Sequence, residues 1–336
     1  MNRTLRSTLL AGVASLAIAA ASPALAQGAG PTAPGSGTGF FVNAEFLYGQ
    51  LFGADIYALS VSNYNGPNSY INQSPEWGPG FRVGAGWRSG GAWDVGIAFS
   101  YLVGNLENPS ATAPGTINGS CCYGVNTPYG TAYDSAQASG NWNRFLVDVD
   151  AGYNMAFGPG FNVRWSAGLR YARLSMTQTA WGSSLNFSGC CPDLSFAGQA
   201  NERFTGFGPR FGADATVGVG EVGGGRVSFV MGAGASILLG SRRSQSAENR
   251  ISYSGTPYSY SYTQSENAVV PMLDTTLGVR WSSVMGGLPV SMTLGYRADV
   301  MIGATTGYFG KYYGKGSRGT RNVATQSVFF GTGVSF

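Results

Sequence analysis

The sequence predicts an all-β protein: a transmembrane antiparallel up-and-down β-barrel of about ten strands, twelve being the alternative count. Three observations point there. Hydropathy alternates with a period of two through ten segments, short connections alternate with long ones, and only 11% of the 336 residues are charged while 13% are aromatic and 53 are glycine. A soluble domain carries about 25% charged residues, and 43% hydrophobic residues supply too much buriable surface for a disordered chain. The chain has no histidine, which removes imidazole as base, acid or metal ligand.

The first element is an export signal. Arg3 and Arg6 precede the apolar run LLAGVASLAIAAA, and Ser22-Pro23 leads into the small-residue pattern Ala24-Leu25-Ala26. This reads as a signal peptide over residues 1–26 that is removed by cleavage. A membrane anchor would need about 20 apolar residues without interruption. Residues 27–39, rich in Gly, Pro, Ser and Thr, form a flexible leader. No later stretch reaches the 18 or so apolar residues of a helical span, so residues 40–336 are left to a barrel. The mature chain is nearly neutral, which gives no electrostatic case for nucleic acid.

The barrel segments follow in order. Phe40, Val42, Ala44, Phe46 and Tyr48 share one parity against Asn43 and Glu45, as in a strand between an apolar and a polar medium. Phe81, Val83, Ala85 and Trp87 oppose Arg82 and Arg88; Trp93, Val95, Ile97, Phe99 and Tyr101 oppose Asp94 and Ser100. Phe145, Val147, Val149, Ala151 and Tyr153 oppose Arg144, Asp148 and Asp150, and Phe161 to Tyr171 oppose Asn162, Arg164 and Arg170. Phe207, Phe211, Ala213 and Val217 oppose Arg210 and Asp214, and the run from Val227 to Leu239 carries no charge. Leu273, Leu277, Val279 and Trp281 oppose Asp274 and Arg280; Val290, Met292, Leu294, Tyr296 and Val300 oppose Arg297 and Asp299. The last segment sets Val328, Phe330, Thr332, Val334 and Phe336 against Ser327, Gly331, Gly333 and Ser335.

The polar parity thus carries eight arginines and seven acids, with Arg173 the single charge on the apolar parity. Ten such segments could not all find a soluble core. A closed sheet in lipid, apolar outside and polar inside, accommodates them. Short connections (about Ser89 to Gly91, Met155 to Gly160, Gly218 to Gly225, Ser283 to Leu288) alternate with long ones (Leu51 to Gly78, Val103 to Asn141, Ser175 to Arg203, Ser241 to Asn267, Ala304 to Asn322). Bacterial barrels place short turns in the periplasm and long loops outside. Trp87, Trp93, Tyr153 and Trp281 stand beside the short turns, and Tyr48, Tyr101 and Tyr171 near the long loops, as interfacial girdles do. Alternating glycines in VGAGW, GAGAS and FFGTGVSF leave room for bulky facing side chains. Phe336, with apolar residues at every second position before it, is the expected barrel-assembly signal, with the barrel assembly machinery as partner and the bacterial outer membrane as the location.

No enzymatic constellation emerges. Asp148 and Asp150 share a face, as an acid–base pair would, but the arginines around them favour salt bridges. The glycine cluster at 223–225 reads as a turn. No cofactor or metal site is expected. The cysteines form two vicinal pairs, Cys121-Cys122 and Cys190-Cys191, in the second and third long loops. Their spacing is wrong for a thiolate knuckle, and an exported chain meets an oxidising compartment. Disulfides between the two loops are therefore expected, with three pairings open. Lys311, Lys315, Arg318 and Arg321 in the fifth loop suit a solvated basic loop, the alternative being contact with lipopolysaccharide phosphates. The tyrosine-rich YSGTPYSYSYTQ of the fourth loop is expected to extend strands above the membrane.

The segments GFFVNAEFLYGQ, PEWGPGFRVGAGWRSGGAWDVGIAFSYL, FNVRWSAGLRYARLSMT, FTGFGPRFGADATV and VPMLDTTLGVRW occur in this order. Together they resemble the Legionella-type pore-forming outer membrane protein family, also called the Legionella major outer membrane protein family. The likeness spans Gly39 to Phe336, and WGPGFRVG and FGPRFGAD carry it most specifically. The resemblance implies an outer-membrane barrel assigned to pore formation, with no enzymatic residues to carry over.

Expectations for the lumen pull two ways. About eight strands give an interior that side chains nearly fill, and buried charges must be paired. Ten strands therefore predict a constricted or partly plugged pore. The resemblance argues for conduction. The combined expectation is passive, low-conductance diffusion of small hydrophilic solutes, the alternative being a non-conducting structural or adhesive surface barrel acting through its extracellular loops. The expected pore-lining residues are Glu45, Arg82, Arg88, Asp94, Arg144, Asp148, Asp150, Arg164, Arg170, Arg210, Asp214, Asp274, Arg280, Arg297 and Asp299. Outer-membrane lipid is the expected surround, and no segment stands out as a subunit interface, so monomer and homo-oligomer stay as alternatives.

Overall fold

The computed structural model describes residues 38–53, 56–61, 69–108, 110–118, 133–158, 160–184, 194–251, 257–308 and 318–336. The expected signal peptide, most of the leader, all four cysteines, Lys311 and Lys315 lie outside the described residues. The strands are β1 (Thr38–Phe52), β2 (Ile56–Val61), β3 (Ser69–Gln73), β4 (Gly78–Ser89), β5 (Trp93–Leu106), β6 (Ser110–Asn118), β7 (Tyr133–Ala156), β8 (Phe161–Ser184), β9 (Leu194–Val222), β10 (Gly225–Ile251), β11 (Pro257–Met285), β12 (Leu288–Tyr308) and β13 (Arg318–Ser335).

Ten of these close a ring. β1 pairs with β4 on one side and β13 on the other, β4 with β5, β5 with β7, and then β7 through β13 pair in sequence, all antiparallel. These ten are the ten alternating segments of the sequence, so the wall has ten strands. The alternative count of twelve does not hold: the long connections carry three short strands, β2, β3 and β6, and these stay out of the ring. β6 adds to β7 at Ser110↔Gln137, above the stretch that β5 occupies, and β2 and β3 continue that flap.

The period of two is realised as expected. Phe211 on the outer face is 64% exposed, while Arg164, Arg170 and Arg210 on the inner face are each 2% exposed. That is the reverse of a soluble protein, and it requires an apolar solvent around the cylinder. Where large outer residues flank small ones, the wall is smoother: Val163 on β8 is covered together with Ala213 and Ala215 of β9 and Met231 of β10.

The short turns and the two barrel ends lie on one rim. Gly223-Gly224 and Gly286-Gly287 join β9 to β10 and β11 to β12 with positive φ at both residues (61° and 72°, 59° and 83°). This is the mirror-image turn whose twist matches a hairpin, and glycine adopts it without a steric cost. At the same rim the Phe336 amide donates to the Phe40 carbonyl at 2.8 Å, and β1 runs along β13 from Phe41↔Ser335 to Phe52↔Ala324. The aromatic girdle gathers here too: Trp93 and Tyr153 lie 4.9 Å apart between ring centroids, and the Trp281 indole donates to the Val222 carbonyl at 2.9 Å.

Two of the expected long loops are mainly strand. β9 and β11 are each 29 residues long, against about 9–11 residues needed to cross a membrane. Ser175 to Arg203 and Ser241 to Asn267 therefore become paired extensions of β8, β9, β10 and β11, leaving 185–193 and 252–256 between strands. In these extensions one face stays buried, but small and polar side chains such as Gln178, Ala180, Ala200, Glu202, Ser244 and Ser246 occupy it, so the hydropathy alternation fades while backbone pairing continues. Of the tyrosine-rich stretch, Pro257 to Gln264 lie within β11, and 253–256 lie outside the described residues.

The lipid-facing assignment predicts a sharp asymmetry. Phe211→Arg on the outer face of β9 should destabilise the refolded barrel by ~2–4 kcal/mol. Ser241→Arg, exposed on β10 beyond the apolar band, should change it by less than about 0.5 kcal/mol. Urea midpoints in lipid vesicles measure both; equal effects would contradict the assignment.

Candidate functional site: the barrel lumen

Along each wall strand the inward residues change character with height. From the turn side upward, β8 presents Arg164 and Arg170, then Ala172, Leu174 and Met176; β1 presents Asn43 and Glu45, then Leu47 and Leu51. The descending strands show the same order in reverse, as in Trp142 before Arg144, Asp148 and Asp150 on β7, and Phe204 before Arg210 and Asp214 on β9. Stacked around the ring, these sequences build two layers: an ionic layer on the turn side and an apolar layer on the side of the long strands.

Eleven residues of the ionic layer form one connected network, and Arg144 with Asp299 forms a separate pair. Arg164 on β8 sits between Asp94 at 2.5 Å and Asp150 at 2.6 Å, with Asp214 at 3.7 Å. Arg170 pairs with Asp148 at 2.6 Å and with Asp274. Arg210 lies 3.7 Å from both Asp150 and Asp274 and 3.9 Å from Asp148. Arg82 links Asp148 at 4.0 Å to Glu45 at 3.7 Å, and Glu45 meets Arg297 at 2.9 Å. Arg144 pairs with Asp299 across the ring. Buried charges persist only when paired in this way.

All fifteen expected pore-lining residues lie on the inward parity, but they do not behave alike. Thirteen join the ion pairs just described. Arg280 donates from Nε to the Thr293 hydroxyl at 3.2 Å, and no carboxylate of the described residues comes within 4.0 Å of it. Arg88 is half-buried nearer the turn-side mouth, with its guanidinium 5.9 Å from the centre of the Phe41 ring. The hydrogen bonds of Asp148 and the ion pairs of Asp150 are with arginines, which is the salt-bridged arrangement the sequence favoured.

Inward glycines create the room this crowding needs. A Cβ at Gly152 would collide with the Arg164 guanidinium, and one at Gly104 would come within 2.6 Å of the Trp142 indole. The alternation of glycine with other residues is thus a packing device, and large side chains fill the notches.

The apolar layer is what the sequence reading missed. Leu47, Leu51, Leu102, Leu106, Trp142, Leu174, Met176, Phe204, Leu238, Val270, Met272, Met301 and Val323 form one buried cluster across the lumen. Leu47, Leu102, Trp142, Phe204, Leu238 and Val270 have no exposure at all. Phe329, at the lower edge, stacks on the Arg297 guanidinium at 5.0 Å and joins the layers. The signal was present: inward apolar residues sit beside outward ones in Phe46-Leu47-Tyr48, Tyr101-Leu102-Val103 and Val328-Phe329-Phe330. A continuous apolar run means a strand with apolar matter on both faces.

Two polar cavities remain beneath the apolar layer. The larger, about 60 Å³, lies between Glu45, Arg164, Asp214, Arg280 and Arg297. The smaller, about 10 Å³, is bounded by Arg82, Arg144, Asp148, Arg297 and Asp299. Arg297 borders both.

Residues 32–336 match the family described as Legionella pneumophila major outer membrane protein precursor. Comparison with curated proteins gives no match. Among solved structures, the Escherichia coli outer membrane protease OmpT is similar at 11% identity, covering 89% of this chain and 96% of that one, with a TM-score of 0.41. The Pseudomonas putida toluene transporter TodX is similar at 11% identity, covering 89% of each chain, with a TM-score of 0.30. The attachment invasion locus protein Ail of Yersinia pestis is similar at 10% identity, covering 89% of this chain and 99% of that one, with a TM-score of 0.22.

Proposed function

Because the chain belongs to the Legionella pneumophila major outer membrane protein precursor family, we propose that it is a pore-forming barrel of very low conductance that is shut at rest. It is an outer-membrane β-barrel, and small hydrophilic solutes cross it passively only when the apolar layer parts. One observation carries the reading: a closed wall of ten strands encloses an ion-paired layer beneath a fully buried apolar one. The packed apolar side chains leave ions neither space nor hydration, so the layer closes the passage at rest. The thirteen paired charges beneath it bind no solute tightly, because each of them is already matched. The same charges set which ions pass when the seal opens.

The second reading, a structural or adhesive barrel, is favoured by the height of β9, β10 and β11, which carry the sheet far above the membrane. Both readings place the barrel among outer-membrane lipid and lipopolysaccharide, with Phe336 offered to the assembly machinery. Neither includes catalysis: no histidine exists and the candidate carboxylates are engaged by arginine. Recordings on purified protein in planar bilayers separate them. Brief, small current steps are expected, far below those of a wide porin. No steps at any voltage, together with loss of cell attachment on shortening the β10–β11 extension, would establish the structural reading instead.

A further inference from the structure

The long strands carry a second charge pattern, on their outward face. In register across β8, β9 and β10, Tyr171, Phe207 and Leu239 make the last apolar rung, with Phe207 61% and Leu239 53% exposed. The next outward rung upward holds Arg173 beside Thr205 and Ser241, and the rung above that sets Arg203 directly opposite Arg243. Arg203 and Arg243 are exposed, and Arg173 is half-buried. Three arginines therefore gather within two rungs, at the height where the wall leaves hydrocarbon.

The protein supplies no counter-charge. None of the three enters an ion pair among the described residues, and Nε of Arg173 is buried without a hydrogen-bond partner. The acids on this part of β9 and β11, Glu202 and Glu266, stand on the inward parity, where Arg242 engages Glu266 at 3.2 Å. Directly opposed residues have Cβ atoms about 4.5–5.5 Å apart, so like charges there repel, and the diagonal from Arg173 to Arg203 is only ~7–8 Å. Above the arginines the outward face of β7 to β11 carries no charge among the described residues, and Thr177, Asn201 and Gln245 form its next rung.

We propose that Arg173, Arg203 and Arg243 form a binding site for one lipopolysaccharide molecule of the outer leaflet, held by its phosphates. The long strands rise on the outer side of the membrane, and the anions met there above the hydrocarbon are the phosphates of the glycolipid's glucosamine headgroup. Arginine forks grip phosphate oxygens through paired N–H donors. The acyl chains lie along Tyr171, Phe207 and Leu239. The saccharide rises over the hydroxyl and amide groups of Thr177, Asn201 and Gln245. That uncharged polar face favours a glycolipid over a phospholipid, whose headgroup ends at the level of the arginines.

Native mass spectrometry of the purified barrel, released from detergent micelles doped with lipid A, tests the site. One molecule of bisphosphorylated lipid A should stay bound and survive EDTA, because arginine replaces the bridging cations. Dephosphorylated lipid A and phosphatidylglycerol should be retained far less. The combined variant Arg173→Gln, Arg203→Gln, Arg243→Gln should bind about a hundredfold more weakly and keep its heat-modifiable gel mobility, while the corresponding lysine variant should recover part of the loss. Lys311→Gln with Lys315→Gln and Arg318→Gln, in the fifth loop, should change nothing. Equal retention of the dephosphorylated lipid or of phosphatidylglycerol, loss on adding EDTA, binding by the glutamine variant within twofold of native, or a loss confined to the fifth-loop variant would each overturn the proposal. All these residues lie outside the lumen, so the outcomes are independent of whether the barrel conducts.

Discussion

Arg164→Met lowers the stability of the refolded barrel by ~3–5 kcal/mol, the loss expected when one partner of a buried ion pair is removed. The effect should be among the largest of any single substitution in the lumen. Arg164 is the shared cation of Asp94, Asp150 and Asp214, and methionine leaves Asp94 and Asp214 without an arginine while Asp150 keeps only Arg210 at 3.7 Å. Arg164→Lys should recover only part of the loss. Its single ammonium cannot reproduce the fork that reaches Asp94 through both Nε and Nη2 while Nη2 also serves Asp150. The decisive variant combines Arg164→Met with Asp94→Asn and Asp150→Asn. Removing the acids with the arginine should return most of the lost stability, since an intact buried ionic cluster is often no more stable than a neutral replacement. Urea unfolding in vesicles, followed by tryptophan fluorescence and by gel mobility, measures the series. If Arg164→Met unfolds at the native midpoint, the ionic layer is not what holds the turn-side half of the lumen together.

Trp142→Ala combined with Phe204→Ala opens the seal. The two side chains are the largest of the fully buried apolar groups in the layer. Each truncation is expected to cost ~3–5 kcal/mol if tested alone in a well-packed core, so the single variants are made first to confirm that barrels still form. In planar bilayers the double variant should show steady current steps where the native protein gives only brief ones. Conductance should stay well below that of a wide porin, because the ionic layer still narrows the passage. If the double variant folds and conducts no better than the native chain, the ionic layer is the seal and the apolar layer only its cover.

These two layers differ in how well the sequence discloses them. A charge on an otherwise apolar strand is conspicuous, so the inward parity of Glu45, Arg82, Asp94, Arg164, Arg210 and Asp274 is readable from spacing, and with it the ten-stranded wall. Leu47, Leu102 and Phe329 are camouflaged by apolar neighbours on the opposite face. Their inwardness follows from parity, but parity alone assigns no medium to the space they enter. The extensions of β9 and β11 are hidden for another reason: their inward positions hold small or polar residues such as Ala200 and Glu202, so the strand keeps its hydrogen bonds and loses its hydropathy rhythm. Arg280 could be placed in the lumen by its position, but its lack of a carboxylate depends on the reach of side chains from several other strands.

The ladder between β1 and β13 has a consequence for how the molecule comes into being. It joins stretches separated by almost the whole polypeptide, so loop-closure entropy makes it the most demanding pairing in the sheet. Until it forms, two raw sheet margins stand open, each able to template addition of a foreign strand. Biogenesis must therefore shelter those margins, and a variant that slows the final zippering should be lost to aggregation or proteolysis even when its finished cylinder is as durable as any other.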